Sequence, residues 1–234
     1  MRWIALTALT FSSLCLASFT AAAEPLVWGV KAENLEYRLG KGPKNLFAWD
    51  TEAFVGSDEL KFVWRSEGEF ETQADAFETL ENQLLLQTPI STFFDAVAGV
   101  RAETPKGPDR LSGVIGIKGL SKQWFDVEAD LFLSEYPAAR LAIDYEGLLT
   151  NRIILTPSIE VNLPFNDDRA RAIGAWGPKV EVGARLSYDL VDRLLSPYIG
   201  IHHERTLGES AKLRSAEGEG NQATYLVTGV RVIF

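Results

Sequence analysis

The chain has 234 residues, a formal net charge of -9 and an isoelectric point near 4.9. This balance excludes the basic footprint that nucleic-acid binding requires, so no nucleic-acid partner is expected. The one cysteine, Cys15, and the one methionine, Met1, both fall in the first twenty-three positions; if these are removed, disulfides and thiolate chemistry are excluded from the rest.

Met1-Arg2 supplies a positive start, Trp3 to Phe19 an apolar run interrupted mainly by Ser and Thr, and Ala21-Ala22-Ala23 a small-residue cleavage site before Glu24-Pro25. Residues 1–23 therefore read as a signal peptide, and 24–234 as one domain with a short lead-in. Cys15 follows Leu14 rather than a small residue, so it reads as signal-peptide filler. No later run is long enough for a spanning helix.

After the leader, a two-residue period recurs between turn signals, which marks strands. Val30 to Arg38 alternates poorly. Phe47, Trp49, Thr51, Ala53 and Val55 oppose Asp50 and Glu52, and Gly56-Ser57-Asp58 turns the chain. Leu60, Phe62 and Trp64 oppose Lys61, Arg65 and Glu67, and Gln73 to Gln87 is long and irregular, with Pro89 as its end. Phe94 to Ala102 sets Asp95 and Arg101 on one parity; after the loop at 104–108 comes a weakly polarised, glycine-bearing strand, Leu111 to Leu120.

The clearest alternation follows. Phe125, Val127, Ala129, Leu131 and Leu133 oppose Asp126, Glu128 and Asp130; Ala139 to Gly147 oppose Arg140, Asp144 and Glu146. Ile153 to Leu163 then oppose Arg152 and Glu160, and Val180 to Tyr188 oppose Lys179, Glu181 and Arg185. Pro197, Ile199, Ile201 and His203 oppose Tyr198, Gly200, His202 and Glu204, and the last strand, Thr224 to Phe234, carries Arg231 on its less apolar side.

Alternation alone fits a soluble sandwich with its apolar face inside or an outer-membrane barrel with that face towards lipid. The leader, the terminal Phe234 and connections that alternate in length favour an antiparallel transmembrane β-barrel of about twelve strands in the cell outer membrane. Loops at 206–221, 164–178 and 103–110 would then lie outside, and the turns near Thr150, Ser121 and Gly56 in the periplasm. Trp49, Trp124, Tyr145, Tyr188 and Tyr198 suit interfacial girdles facing membrane lipid.

The blocks Gly56-Ser-Asp-Glu-Leu-Lys61 with Glu67-Gly68-Glu69, Phe94-Asp95 to Arg101, Gly119-Leu120 with Trp124-Phe125, Leu149-Thr150-Asn-Arg152 with Leu155, Pro157 and Glu160, Gly183-x-Arg185, Ser196 to Gly200, and Gly229-Val230-Arg231 to Phe234 occur in one order. Together they resemble the copper resistance protein B family, over nearly all of the chain from about Leu35 onward. The resemblance implies an outer-membrane barrel linked to copper resistance, with copper as its metal and a periplasmic copper-handling protein as a partner. Family members often carry a Met- and His-rich segment ahead of the barrel; Glu24 to Leu35 holds neither residue.

Copper chemistry narrows the candidates. Cu(I) prefers thiolate and thioether donors, and Cu(II) accepts imidazole and carboxylate. The two histidines, His202 and His203, are adjacent, so on a strand they face opposite ways. His202 with Glu204 is the candidate lumen site, at most a weak one, against the alternative of a structural, hydrogen-bonded histidine. Arg101, Asp126, Glu128, Asp130, Arg140, Asp144, Arg152, Glu160, Glu181, Arg185 and Arg231 are expected as lumen charges, paired with one another or lining a cation path. A porin-like or structural barrel is the alternative function. A lipid hydrolase based on His203 is a lesser one, because no serine motif accompanies that residue, and the chain is not read as an enzyme.

Overall fold

The computed structural model describes residues 25–40, 45–104, 107–191 and 193–234; the leader lies outside the described residues. The strands are β1 (Val27–Leu39), β2 (Asn45–Gly56), β3 (Lys61–Glu71), β4 (Ala76–Pro89), β5 (Phe94–Thr104), β6 (Arg110–Leu120), β7 (Phe125–Leu133), β8 (Ala138–Tyr145), β9 (Gly147–Leu148), β10 (Ile153–Pro164), β11 (Lys179–Tyr188), β12 (Leu195–Thr206) and β13 (Gln222–Ile233). Segments β8 and β9 both pair with β10 and form one strand interrupted at Glu146. Each strand is antiparallel to the next, and β13 pairs with β1, so twelve strands close into a barrel. Closure removes the free edges that an open sheet would present.

The outer face is apolar because alternation puts Phe62, Leu84, Leu111, Ile199 and Leu226 there, each more than 60% exposed. A continuous belt of this kind is unfavourable in water and suits lipid. Aromatic rings gather on it near one rim. Trp49 lies 6.2 Å from Phe47 and 6.0 Å from Phe77, and its indole Nε1 donates to Ser66 Oγ at 3.2 Å. The Trp49 ring covers Gly68 so closely that a Cβ there would stand 2.2 Å from Cζ2.

Two stretches with poor alternation are strands. The irregular stretch before Pro89 is strand β4, which includes Pro89. Strand β1 alternates poorly because Glu33 is the extra residue of a bulge, between Ala32 opposite Thr51 and Asn34 opposite Asp50. The bulge switches the inward parity from Gly29 and Lys31 to Asn34, Glu36 and Arg38.

The connections do not alternate in length throughout. Turns at 72–75 and 134–137 are as short as those at 57–60, 90–93, 121–124 and 149–152. The end holding 72–75 and 134–137 also carries the two long segments, 165–178 and 207–221, which contain a 3-10 turn (Arg169–Arg171) and helix α1 (Gly208–Ala216). Ser210 on α1 is buried and pins the two together: its Oγ accepts from Gly174 N at 3.0 Å and shares its proton between Gly174 O and Gly177 O, at 3.0 and 2.7 Å. Arg110 clasps Asp168 through two 2.9 Å hydrogen bonds, tying the 165–178 segment to β6.

Candidate metal centre in the barrel lumen

The lumen is largely filled. Phe54, Val63 and Leu85 are register neighbours on β2, β3 and β4; Gly99 follows on β5, then Val114 and Phe132 on β6 and β7. With Val97 they form an apolar diagonal inside the barrel, in which Val63, Leu85, Val97, Val114 and Phe132 are buried. Arg101 lies 3.8 Å from the Phe132 ring centroid, a cation-π contact that lets a charge sit beside this band.

Charged groups pack above and below it in knots. Glu36, fully buried, accepts from Arg38 Nε at 2.7 Å, from Arg185 Nε and Nη2 at 2.9 Å each, and from Tyr198 OH at 3.0 Å. Arg65 contacts Glu128, with Glu52 at 3.0 Å and Asp130 at 3.6 Å; Lys118 reaches Glu52 at 2.6 Å and Glu128 at 3.4 Å. Arg140 sits among Glu81 at 2.7 Å, Glu67 at 3.1 Å and Glu160 at 3.6 Å, while Arg101 holds Glu81 at 2.8 Å and Glu103 at 2.6 Å. Arg231 reaches Glu146 at 2.5 Å at the short-turn end. Opposite charges held this close offset the cost of leaving water.

Two sequence assignments are corrected. Arg152 is in the exposed turn after β9, its Nη1 3.5 Å from Tyr188 OH, because the strand starts one residue later than the alternation suggests. Tyr198 is no girdle residue: its parity points it inward, where it is 4% exposed and bonded to Glu36.

His202 and Glu204 gain a third partner from the register of β11 against β12, which sets Glu181 opposite Glu204 and Gly183 opposite His202. Donor atoms of Glu181, His202 and Glu204 all lie within 4.8 Å of one another. The space where a Cβ at 183 would stand is taken by Ser158 Oγ, at 2.4 Å, and by the Arg185 guanidinium. His202 is 5% exposed, its Nε2 3.2 Å from Glu181 Oε2, yet neither ring nitrogen has an aligned hydrogen bond among the described residues. Glu181 is thus the charged neighbour of Nε2, while Nδ1 has no partner among the described residues. One imidazole and two carboxylates form a nitrogen and oxygen donor set suited to Cu(II), and the described residues offer no sulfur donor for Cu(I). Lys179 competes for the same seat, its ammonium 2.9 Å from Glu181 and 2.8 Å from Glu204. His203 lies on the outer face, its Nδ1 2.8 Å from Thr224 Oγ1.

Not every carboxylate is paired. Asp126 and Asp144 stand directly opposite each other on β7 and β8, and Asp144 is opposite Ser158 on β10. Among the described residues neither they nor Asp50 forms an ion pair within 4.0 Å. Glu36, Glu52, Glu81 and Lys118 were not among the expected lumen charges; only the inward parity of their strands marks them.

A family model described as copper resistance protein B precursor matches residues 26–234. Copper resistance protein B of Escherichia coli is 33% identical over 207 residues, covering 88% of this chain and 69% of that protein. The copper resistance protein B homolog of Pseudomonas syringae pv. tomato is 33% identical over 205 residues, covering 87% and 68%. Among solved structures, that of the NanC porin is similar in fold, with a TM-score of 0.52 at 13% identity, covering 88% of this chain and 99% of that one.

Proposed function

The chain belongs to the copper resistance protein B family, and from that premise we propose that it serves copper tolerance as an outer-membrane barrel that holds Cu(II) weakly in its lumen. The observation that carries this reading is the convergence of Glu181, His202 and Glu204, with Nδ1 of the imidazole unpartnered among the described residues. Its weakness follows from Lys179, which a metal must displace from both carboxylates. A periplasmic copper-handling protein would deliver or take up the ion. The porin-like alternative, a barrel without a copper role of its own, draws support from the same Lys179, since its ammonium already satisfies the two acids.

The test is a deletion strain challenged with copper, zinc and a non-metal stress, alongside calorimetric titration of the purified barrel with Cu(II) and Cu(I). Copper-selective sensitivity, with weak Cu(II) binding lost in His202→Ala, is the expected result. Unchanged copper tolerance would favour the porin-like barrel, and tight Cu(I) binding would refute the ligand argument.

A further inference from the structure

The register draws the inward polar side chains into two adjacent rows. One runs Asp126, Asp144, Ser158, Gly183, His202 across β7, β8, β10, β11 and β12; the other runs Glu128, Ala142, Glu160, Glu181, Glu204 across the same strands. All ten residues line one cavity of about 490 Å³, along whose wall carboxylates outnumber basic groups. The rows climb from the turn at 121–124, next to Asp126, towards the end that carries α1. At that upper end the cavity is lined by Asp168, Arg171, Ile173 and Gly177 of one long segment and by Ser210 and Arg214 of the other, the two segments pinned by Ser210 and Arg110. Asp126 and Asp144 towards the lower end, and Asp50 midway along β2, have no counter-charge in contact among the described residues. On the opposite wall lies the apolar diagonal, and the carboxylates beside it, Glu52, Glu67 and Glu81, are held by Arg65, Lys118 and Arg140. The nine-tenths-buried His202, its Nδ1 unpartnered among the described residues and its Nε2 3.2 Å from Glu181, faces into the upper end of the first row.

We propose that these two rows are a path for divalent cations, admitted at the short-turn end past Asp126 and Asp144 and led along the wall to Glu181, His202 and Glu204. The path rests on the copper reading for its terminus. Its physical basis is a negative, low-dielectric wall that raises local cation concentration and arrival rate. Glu128 is held by Arg65 and lies 3.4 Å from Lys118, and Glu160 accepts from Asn162 at 2.6 Å and lies 3.6 Å from Arg140, so a passing cation competes with these donors for each carboxylate in turn.

The test is stopped-flow Cu(II) quenching of intrinsic fluorescence in the detergent-solubilised barrel, read as the difference from His202→Ala, which isolates the part of the signal that depends on the site. In Asp126→Asn/Asp144→Asn the arrival rate should fall about tenfold and lose much of its ionic-strength dependence. A second arm places a bulky thiol label at Asp144→Cys or at Arg214→Cys, on a background with Cys15 replaced. The first label should slow quenching strongly and the second leave it unchanged. Slowing by the Arg214 label alone, or arrival at the same rate with Asp144 labelled, would overturn the path while leaving the copper site standing. No His202-dependent quenching in the unlabelled barrel would overturn the copper site and, with it, the terminus of the path.

Discussion

The carboxylate of Glu36 on β1 receives both arms of the Arg185 guanidinium from β11, at 2.9 Å each, across 149 positions of sequence. A fork-to-fork contact of this kind is charge-assisted and directional. It links two strands that the sheet separates by β12 and β13, so it braces the barrel through its interior rather than around its wall. Glu36→Ala leaves Arg185 buried without its partner and should cost about 3–5 kcal/mol. The temperature at which the folded band is lost in detergent electrophoresis should fall, and Glu36→Met/Arg185→Met should recover much of it. An unchanged transition in the single variant would contradict this bracing role.

Lys179 is placed as a tethered competitor at the metal seat. Lys179→Gln removes the ammonium from between Glu181 and Glu204, so Cu(II) no longer has to displace it. Calorimetry should show affinity about tenfold tighter, roughly 1.4 kcal/mol. Equal or weaker binding in this variant would show that the lysine holds the carboxylates in position rather than excluding the metal.

Gly68 is fixed by the indole lying over it. Gly68→Val drives a side chain into Trp49 and should destabilise the barrel by about 1–3 kcal/mol. Tryptophan emission should shift as the indole is displaced from Ser66 Oγ. Adding Trp49→Ala should restore stability; a double variant no better than the single one would mean that backbone strain, not the ring, sets the cost.

Ser210→Ala removes the hydroxyl that joins α1 to the 165–178 segment, a loss of about 1–2 kcal/mol of local stability. Limited proteolysis should cut within 207–221 faster, while the strand-borne thermal transition stays where it was. A matching fall in the thermal transition would show that the long segments are part of the barrel's cooperative unit.

The two-residue period made β2, β3, β5 and the strands from β7 onward legible, with most of their inward charges, because in an antiparallel sheet period fixes face. It failed at β1, where one bulge residue reverses the face in mid-strand and hides Glu36. It also failed at β6, where glycines at 113, 116 and 119 dilute the alternation that would have exposed Lys118. The pairing of His202 with Glu204 was visible as spacing on one strand. Glu181 and Lys179 were not, since their approach depends on how far β11 slides against β12, and no single strand states that. Tyr198 was misplaced because aromatic character near a strand end outweighed its parity.

The pairing of β1 with β13 sets the order in which the barrel can be made. Seven register pairs, from Lys31 opposite Ile233 to Leu39 opposite Leu226, join the first strand to the last. Every other seam joins neighbours in the chain and can form as the strands appear, but this one requires a loop of almost the whole domain to be closed. Contacts of such sequence separation are slow to find. Until they form, the growing sheet has two bare edges that will accept any foreign strand. Both edges therefore stay bare until residues 222–233 arrive, and the seam they form is the last that the chain can close.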